Sequence, residues 1–501
     1  MVEILRDNDE LVFSSERQKD AVSRRTRRGE LIPLGPGVYT DRIAERPERV
    51  VRRNLHRIVG HLVPGAVVAD RSAYLGGIPQ QGELFIEHPT RSRDLRLAGV
   101  TVRPRRGHGH HPSDVPLADA VWLSSTSRAL LENLRPSRAR KGLARTLSAE
   151  EVELWLDRIV RTQGEARLRA YREEARRIAP ELGLERQLVR LDALIGATLG
   201  TRRVDARTPV LRRRQVGAPF DPDRIVLFEV LSHHLSGLGP EYRPYSLDDA
   251  RATLLPFFEA YFSNLIEGTE FTVEEAAQIA LQGEIPANRP EDAHDIAGTY
   301  QIVSNELEMR RTPTSADELI QLLRQRHASL MAARPQTRPG EFKEQENRAG
   351  ATVFVAPAMV EGTLIEGFAH AARLDDPFAR AVFIMFLVSE VHPFGDGNGR
   401  IARIMMNAEL AALDQTRIII PTAYRDNYLD ALRALTRNNN PAPIERVLGF
   451  AQRYVAEMDW SSMEVATDLL MRTNALRAPN EGDQIGQRLI LPSRASLDVV
   501  E

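Results

Sequence analysis

The stretch Val391-His-Pro-Phe-Gly-Asp-Gly-Asn-Gly-Arg-Ile-Ala-Arg403 decides how the second half of this chain is read. An apolar helical pattern over residues 377–389 runs into it, and Pro393 ends helical continuity because proline has no N–H to donate. Beyond it, residues 399–413 resume a helical period with Ile401, Met405 and Leu413 facing inward. Residues 395–399 are then a tight glycine-rich loop whose amides open a helix. Unpaired amide hydrogens and the helix dipole make such a loop a nest for anions.

The neighbouring side chains extend that nest into a reaction site. Asp396 is a hard oxygen ligand suited to Mg²⁺ bridging phosphates. Arg400 and Arg403, three apart, share a helical face and can grip phosphate oxygens. His392 at the entrance can take a proton from an incoming hydroxyl near neutral pH. Together these describe phosphoryl-type transfer. Two rival motifs fail: the chain has no GxxxxGK[ST] loop, and an EF-hand starting at Asp396 would need glycine at Ile401 and glutamate at Asn407.

The segment resembles the signature HPFx[D/E]GNGRxxR of the Fic family at every fixed position. The resemblance implies a helical bundle over about 292–436 and transfer of AMP from ATP to a hydroxyl side chain of another protein. It implies that His392 deprotonates the hydroxyl, which attacks the α-phosphate, and that Phe394 is buried as an anchor for the loop. Asp396 would bind Mg²⁺, and Gly397, Asn398 and Gly399 would form the anion hole. Arg400 and Arg403 would hold the β- and γ-phosphates as pyrophosphate leaves. The intact Gly-Asn-Gly portion favours AMP transfer over phosphotransfer. Gly350 to Val355 would be one strand of a flap that pairs with the target segment. Tyr428 would line the nucleoside pocket or the core.

Upstream, Ser263-Asn-Leu-Ile-Glu267-Gly268 is similar to the family's inhibitory pattern [S/T]xxxE[G/N]. The resemblance implies that Glu267 pairs with Arg403, where its carboxylate mimics and excludes a γ-phosphate oxygen.

Around this site, apolar residues recur at helical spacing through 254–266, 276–281, 297–307, 319–330, 378–391, 401–413 and 428–435. The one clear β signal in this half is 351–355. The first third differs, being crowded with arginine. Ser14 and Ser15 can cap a basic helix over 16–28, which Gly29 stops. A hairpin follows, from Glu30 through a turn at Gly35-Pro-Gly37 to Thr40. A basic helix before a small hairpin is the layout of a winged helix-turn-helix, with Arg17, Lys19, Arg24, Arg25, Arg27 and Arg28 able to neutralise phosphates. RRGELIPLGPGVYT, DRSAYLGG and STSRALLENL resemble the N-terminal part of AbiEi-type antitoxin and regulator proteins. Gly107-His-Gly-His-His111 is read as a flexible loop rather than a metal site. Residues 147–206 are charged and helical in period, with Trp155, Leu184, Leu188 and Leu191 toward a core.

The expected fold class is mostly α: a helical bundle with a β-hairpin flap, preceded by a small α+β winged-helix-like domain and a helical connector. The segments are 1–140, winged-helix-like; 141–214, connector; 215–290, helical with the inhibitory motif; 291–460, catalytic; and 461–501, a C-terminal helix and a tail around Asn480-Glu-Gly482. With 501 residues, two or three domains are expected. A formal net charge of −2 excludes a uniformly basic nucleic-acid coat. The absence of cysteine excludes disulfides and thiolate chemistry. A charged N-terminus and no apolar run near the ~20 residues of a membrane span place the chain in the cytoplasm, with no membrane partner. ATP and Mg²⁺ are the expected substrate and cofactor, a hydroxyl-bearing protein the expected partner, and DNA and a second copy of the chain the further candidates. The alternative function is a DNA-binding regulator whose C-terminal domain senses nucleotide or transfers another phosphate-containing group.

Overall fold

A strand, not a helix, leads into the first basic segment. The computed structural model describes residues 10–15, 18–137, 142–239, 249–478 and 488–495. Within 1–217, which folds as one unit, β1 (Leu11–Phe13) pairs with β3 (Val38–Thr40), and β3 pairs with β2 (Ile32–Gly35). Ser14 and Ser15 therefore do not cap a helix; the Ser14 amide donates to the Gly37 carbonyl and prolongs the strand. Helix α1 (Lys19–Arg27) begins later, has no side-chain cap, and stops at Gly29 with φ +75°. Glu16 and Arg17 lie outside the described residues.

The apolar face of α2 (Pro47–Leu62) carries Val50, Val51, Leu55, Ile58 and Val59 into a core shared with a six-stranded mixed sheet. Its strands are β4 (Ala66–Val68), β5 (Glu83–His88), β6 (Leu95–Leu97), β7 (Val100–Arg106), β8 (Val115–Ala118) and β9 (Val121–Leu123), in the order β6-β7-β5-β4-β9-β8. β5 runs parallel to β7 and β4 to β9, and the other neighbours are antiparallel. This sheet is absent from the sequence reading. A short helix α3 (Asp70–Tyr74) follows β4, and α4 (Thr126–Glu132) follows β9.

Arg128 in α4 is 1% exposed, and its guanidinium meets Glu132 at 2.9 Å, Asp114 at 2.7 Å and Glu87 at 2.7 Å. Arg105 adds contacts to Asp70, Glu87 and Glu132. The 107–111 stretch is a loop, but a pinned one rather than a free one. The Gly109 amide donates to Glu87, His110 stacks on Trp122, and His111 Nε2 lies 2.9 Å from Glu181.

The segment read as a connector forms α5 (Ala149–Gln163), α6 (Glu165–Ile178), α7 (Glu185–Thr198) and α8 (Pro209–Gln215). These pack one core with α4 through Leu156, Leu168, Leu184, Leu191 and Ile195, so they are built into the first unit. Trp155, Leu184 and Leu191 are buried and Leu188 is partly buried, as their helical spacing requires.

Residues 218–501 form the second unit, a helical bundle. Its helices are α9 (Pro222–Ser236), α10 (Asp249–Ile266), α11 (Val273–Ala277), α12 (Pro290–Val303), α13 (Glu306–Met309), α14 (Ala316–Leu330), α15 (Val360–Ala371), α16 (Pro377–Val391), α17 (Asn398–Ala411), α18 (Arg425–Asn438), α19 (Ala442–Glu457) and α20 (Met463–Arg472). α16 is apolar nearly all round and sits centrally, with Val382 through Val388 fully buried. The hairpin β10 (Arg348–Ala349) and β11 (Thr352–Val353) turns at Gly350 and Ala351.

Two helical readings need correction. The run over 297–307 breaks at Ser304-Asn305, where Asn305 caps α13, and Leu307 is 81% exposed. Leu413 lies past the end of α17 and is 52% exposed rather than facing inward. The expected tail around Asn480-Glu-Gly482 lies outside the described residues. Among the described residues no helix is long and apolar enough to cross a membrane.

Candidate active site

The loop between α16 and α17 is held by side chains that close its backbone on itself. His392 ends α16 in the left-handed region, φ 52° and ψ 60°, which turns the chain out of the helix. Phe394 is fully buried and stacks on the His327 ring with centroids 3.7 Å apart. Asn398 spans the loop, accepting the Phe394 amide hydrogen at 2.8 Å and donating to the Phe394 carbonyl at 2.9 Å. Asn347 donates to the same carbonyl at 2.9 Å. His327 accepts from the Gly340 amide on Nδ1, so its Nε2–H donates to the Asp396 carbonyl at 3.1 Å. Gly397, φ +74°, is the N-cap of α17.

A cavity of about 740 Å³ opens in front of this loop, lined by His392, Gly399, Arg403, Tyr428, Glu267 and the flap residues 349–352 with Phe354. His392 Nδ1 is 3.2 Å from the Ser389 carbonyl, which assigns the proton to Nδ1 and leaves Nε2 as the basic nitrogen. One face of the ring is covered by Phe354, with centroids 3.7 Å apart and planes 5° apart. Burial pushes the imidazole down to about 4, and the ammonium of Lys343 adds to that. Lys343 is itself buried beside Asn347, and desolvation lowers it to about 8.

Arg403 is buried and occupied. Its Nε donates to Ser263 Oγ at 3.0 Å, and its Nη2 donates to the Ser263 carbonyl at 2.8 Å and to Glu267 Oε1 at 2.7 Å. α10 ends at Ile266, and Gly268 follows with φ +92°, so Glu267 stands on the corner of a turn that aims it at α17. A Cβ on Gly399 would run into the Glu267 carboxylate, so only glycine admits this approach. Tyr428 is fully buried, with its hydroxyl 3.3 Å from Met385 Sδ, and forms cavity wall and core at once.

Two residues of the motif stand elsewhere. Arg400 is absent from the cavity lining; its Nη1 lies 2.8 Å from Asp295, which also takes two hydrogen bonds from Arg334, at 3.0 and 2.8 Å. Its Nε is buried and, among the described residues, has no hydrogen-bond partner, which leaves a donor for a ligand oxygen. Asp396 opens on a second cavity of about 450 Å³ beside residues 336–347. Its side chain is 54% exposed, and Oδ1 accepts the Gly397 amide hydrogen at 2.6 Å. Among the described residues no group of three or more metal-ligating side chains occurs. A single exposed carboxylate does fit Mg²⁺, which keeps several waters and takes its other ligands from substrate phosphates.

Asn264, whose Oδ1 lies 3.5 Å from Arg400 Nη1, joins Asp295, His327, Lys343 and Asn347 as residues of the site that no sequence signal marks. They support the motif from helices and loops distant in the chain, and only the fold brings them to it.

Residues 317–410 match the Fic/DOC family. A Fido domain-containing protein of Dictyostelium discoideum is 29% identical over 104 residues, 20% of this chain and 72% of that protein. A protein adenylyltransferase Fic of Drosophila virilis is 22% identical over 273 residues, 49% of this chain and 54% of that protein. The chain thus spans about half the length of that relative. Among solved structures, Fic-1 from C. elegans is 20% identical with a TM-score of 0.35, covering 60% of this chain and 95% of the other.

Proposed function

We propose that the Fic domain carried by residues 317–410 of this chain transfers AMP from ATP to a hydroxyl side chain of a target protein, under restraint by Glu267. Relatives that bear the name protein adenylyltransferase support a transferase that uses ATP. The observation that carries the reading is His392, unprotonated at neutral pH, with Nδ1 on the Ser389 carbonyl and its ring on the cavity wall. His392 Nε2 takes the proton of the target hydroxyl, and the oxygen attacks the α-phosphorus of ATP. The bond to the bridging oxygen of the β-phosphate breaks, and pyrophosphate leaves with the electron pair. Negative charge developing on the non-bridging oxygens of the α-phosphate meets the amides opening α17, and Arg403 receives the terminal phosphates. Mg²⁺ held by Asp396 would neutralise phosphate charge when bound.

With Glu267 on Arg403, the guanidinium is taken by a carboxylate where a phosphate oxygen would bind. Release would come from a partner or from a second copy of the chain. The test is label from α-labelled ATP appearing on protein. Glu267→Gly should label the enzyme or lysate proteins, and the added His392→Ala should abolish it. Label from γ-labelled ATP alone would make the protein a phosphotransferase.

A second reading is favoured by one observation. Arg46, Arg49 and Arg52 of the α2 segment are exposed and line an open depression with Glu48, and Arg24 and Arg27 of α1 are exposed as well. This arginine surface suits DNA phosphates, as in a regulator whose Fic domain senses nucleotide. Duplex binding that fails to weaken with salt, or no duplex binding at all, would remove it.

A further inference from the structure

Arg224, in α9 and outside the Fic domain match, reaches both the flap and the last turn of α16. Its Nη2 donates to the Val353 carbonyl of the flap at 2.5 Å, and its Nη1 lies 2.5 Å from Glu390 Oε1. Glu390 sits in the last turn of α16, two residues before His392, and is 3% exposed. Its other oxygen accepts from Thr436 of α18 at 2.7 Å. One guanidinium therefore joins the flap to the helix that ends in the base, and the carboxylate ties that helix to α18.

Val353 precedes Phe354, the ring that lies flat on the His392 imidazole. Val355, next along the chain, is buried in the bundle core and anchors the segment after the flap, while the flap itself is short. Its two strands are two residues each, the Phe354 amide donates to the Asn347 carbonyl at 3.2 Å, and Arg437 donates to the Thr352 hydroxyl at 3.2 Å. A two-stranded hairpin of that length is not stable alone, so its position depends on anchors. The pair with Glu390 is a charge contact rather than an aligned hydrogen bond, since among the described residues Glu390 Oε1 has no hydrogen-bond partner. The directional bond is the one to the Val353 carbonyl.

We infer that Arg224 is a positioning residue for the base: by holding the flap carbonyl of Val353 against Glu390, it keeps Phe354 stacked on His392 and so fixes the direction of Nε2. This rests on the AMP-transfer reading for its effect on rate, but not for its effect on the ring. Any orienting group loosened by an ångström weakens a transfer that depends on alignment.

The experiment uses the full chain carrying Glu267→Gly, with Arg224→Ala and Arg224→Lys added separately. The first readout is the Cε1 proton of His392 in histidine-labelled protein, assigned by its loss in His392→Ala. Ring current from Phe354 shifts this proton in the parent. Arg224→Ala should return it toward the free-imidazole position, as Phe354→Ala should, and Arg224→Lys should restore part of the shift. The second readout is label from α-labelled ATP on the enzyme and on lysate proteins, with ATP binding measured by calorimetry. Arg224→Ala should lower the transfer rate about 10- to 100-fold while ATP affinity stays within about twofold. Arg224→Lys, which keeps the cation and loses the fork, should lie between. An unshifted His392 proton in Arg224→Ala would overturn the inference, as would parental transfer or equal loss of ATP affinity in both variants. A parent that transfers no label would remove the AMP-transfer reading and leave the proton shift to decide the role of Arg224.

Discussion

Glu267 Oε1 and Arg403 Nη2 meet at 2.7 Å across the opening of α17, with Arg403 buried and Glu267 partly exposed. A carboxylate with solvent on one side and a buried guanidinium on the other is attached firmly yet within reach of competition.

Removing that carboxylate would free Arg403 for a phosphate oxygen. A charge-assisted hydrogen bond of about 1.5–3 kcal/mol corresponds to roughly a 10- to 100-fold shift. Glu267→Gly is expected to raise transfer by about that factor, read from α-labelled ATP. Activity equal to the unaltered chain would dismiss the restraint.

Ser263 holds the same guanidinium through its hydroxyl at 3.0 Å and through its carbonyl. Ser263→Ala keeps the carbonyl bond and loses the other, about 1 kcal/mol. Transfer should rise about fivefold, less than with Glu267→Gly. A larger rise than the glutamate variant gives would place the latch on the serine instead.

The His392 imidazole, lowered by burial to about 4, stays basic well below its ordinary 6.5. Transfer by the Glu267→Gly chain should therefore hold level from about pH 7.5 to about pH 5.5. A rate that halved near 6.5 would mean that the base is solvated.

His327 is also lowered by burial to about 4. Between 6.5 and about 4 the unfolded chain takes up protons that folded His327 and His392 refuse, so stability falls as pH drops through that window. Melting temperature should drop between pH 7 and pH 5, and by less in His327→Gln relative to its own value at pH 7. Equal drops in both would deny His327 a part.

Arg128 faces Glu87, Asp114 and Glu132, each 7% exposed or less. Arg128→Met leaves Asp114 without its arginine and Glu87 and Glu132 with Arg105 alone. Breaking one partner of such a cluster costs about 3–5 kcal/mol. Urea unfolding of the first unit should move by that amount, and an unchanged midpoint would mean that the cluster is hydrated.

The loop between α16 and α17 was legible because the residues that mark it are consecutive. Its glycines and proline set the backbone locally, and two arginines at helical spacing share a face wherever a helix follows. The six-stranded sheet was not, and Glu87 and Arg105 show why. They lie in β5 and β7 as charged residues among Phe85, Ile86 and Val102, which breaks the apolar pattern of a buried strand. Their burial is tolerated only because opposite charges from α3 and α4 arrive beside them, and that is a property of the fold. Arg128 reads as one more solvated arginine for the same reason. The place of Arg400 was hidden likewise, since its partner Asp295 comes from α12.

α10 stops at Ile266, and Glu267 with Gly268 belongs to the turn beyond it. Ser263 is embedded in the helix, whereas Glu267 can leave Arg403 by rotation of its own side chain and of the turn's torsions. A departure confined to those bonds falls in the nanosecond-to-microsecond range of loop motion rather than the slower range of helix rearrangement. A restraint by Glu267 would then be a fluctuating latch rather than a fixed block. A partner would change the fraction of time it stands open without having to pull the helix away.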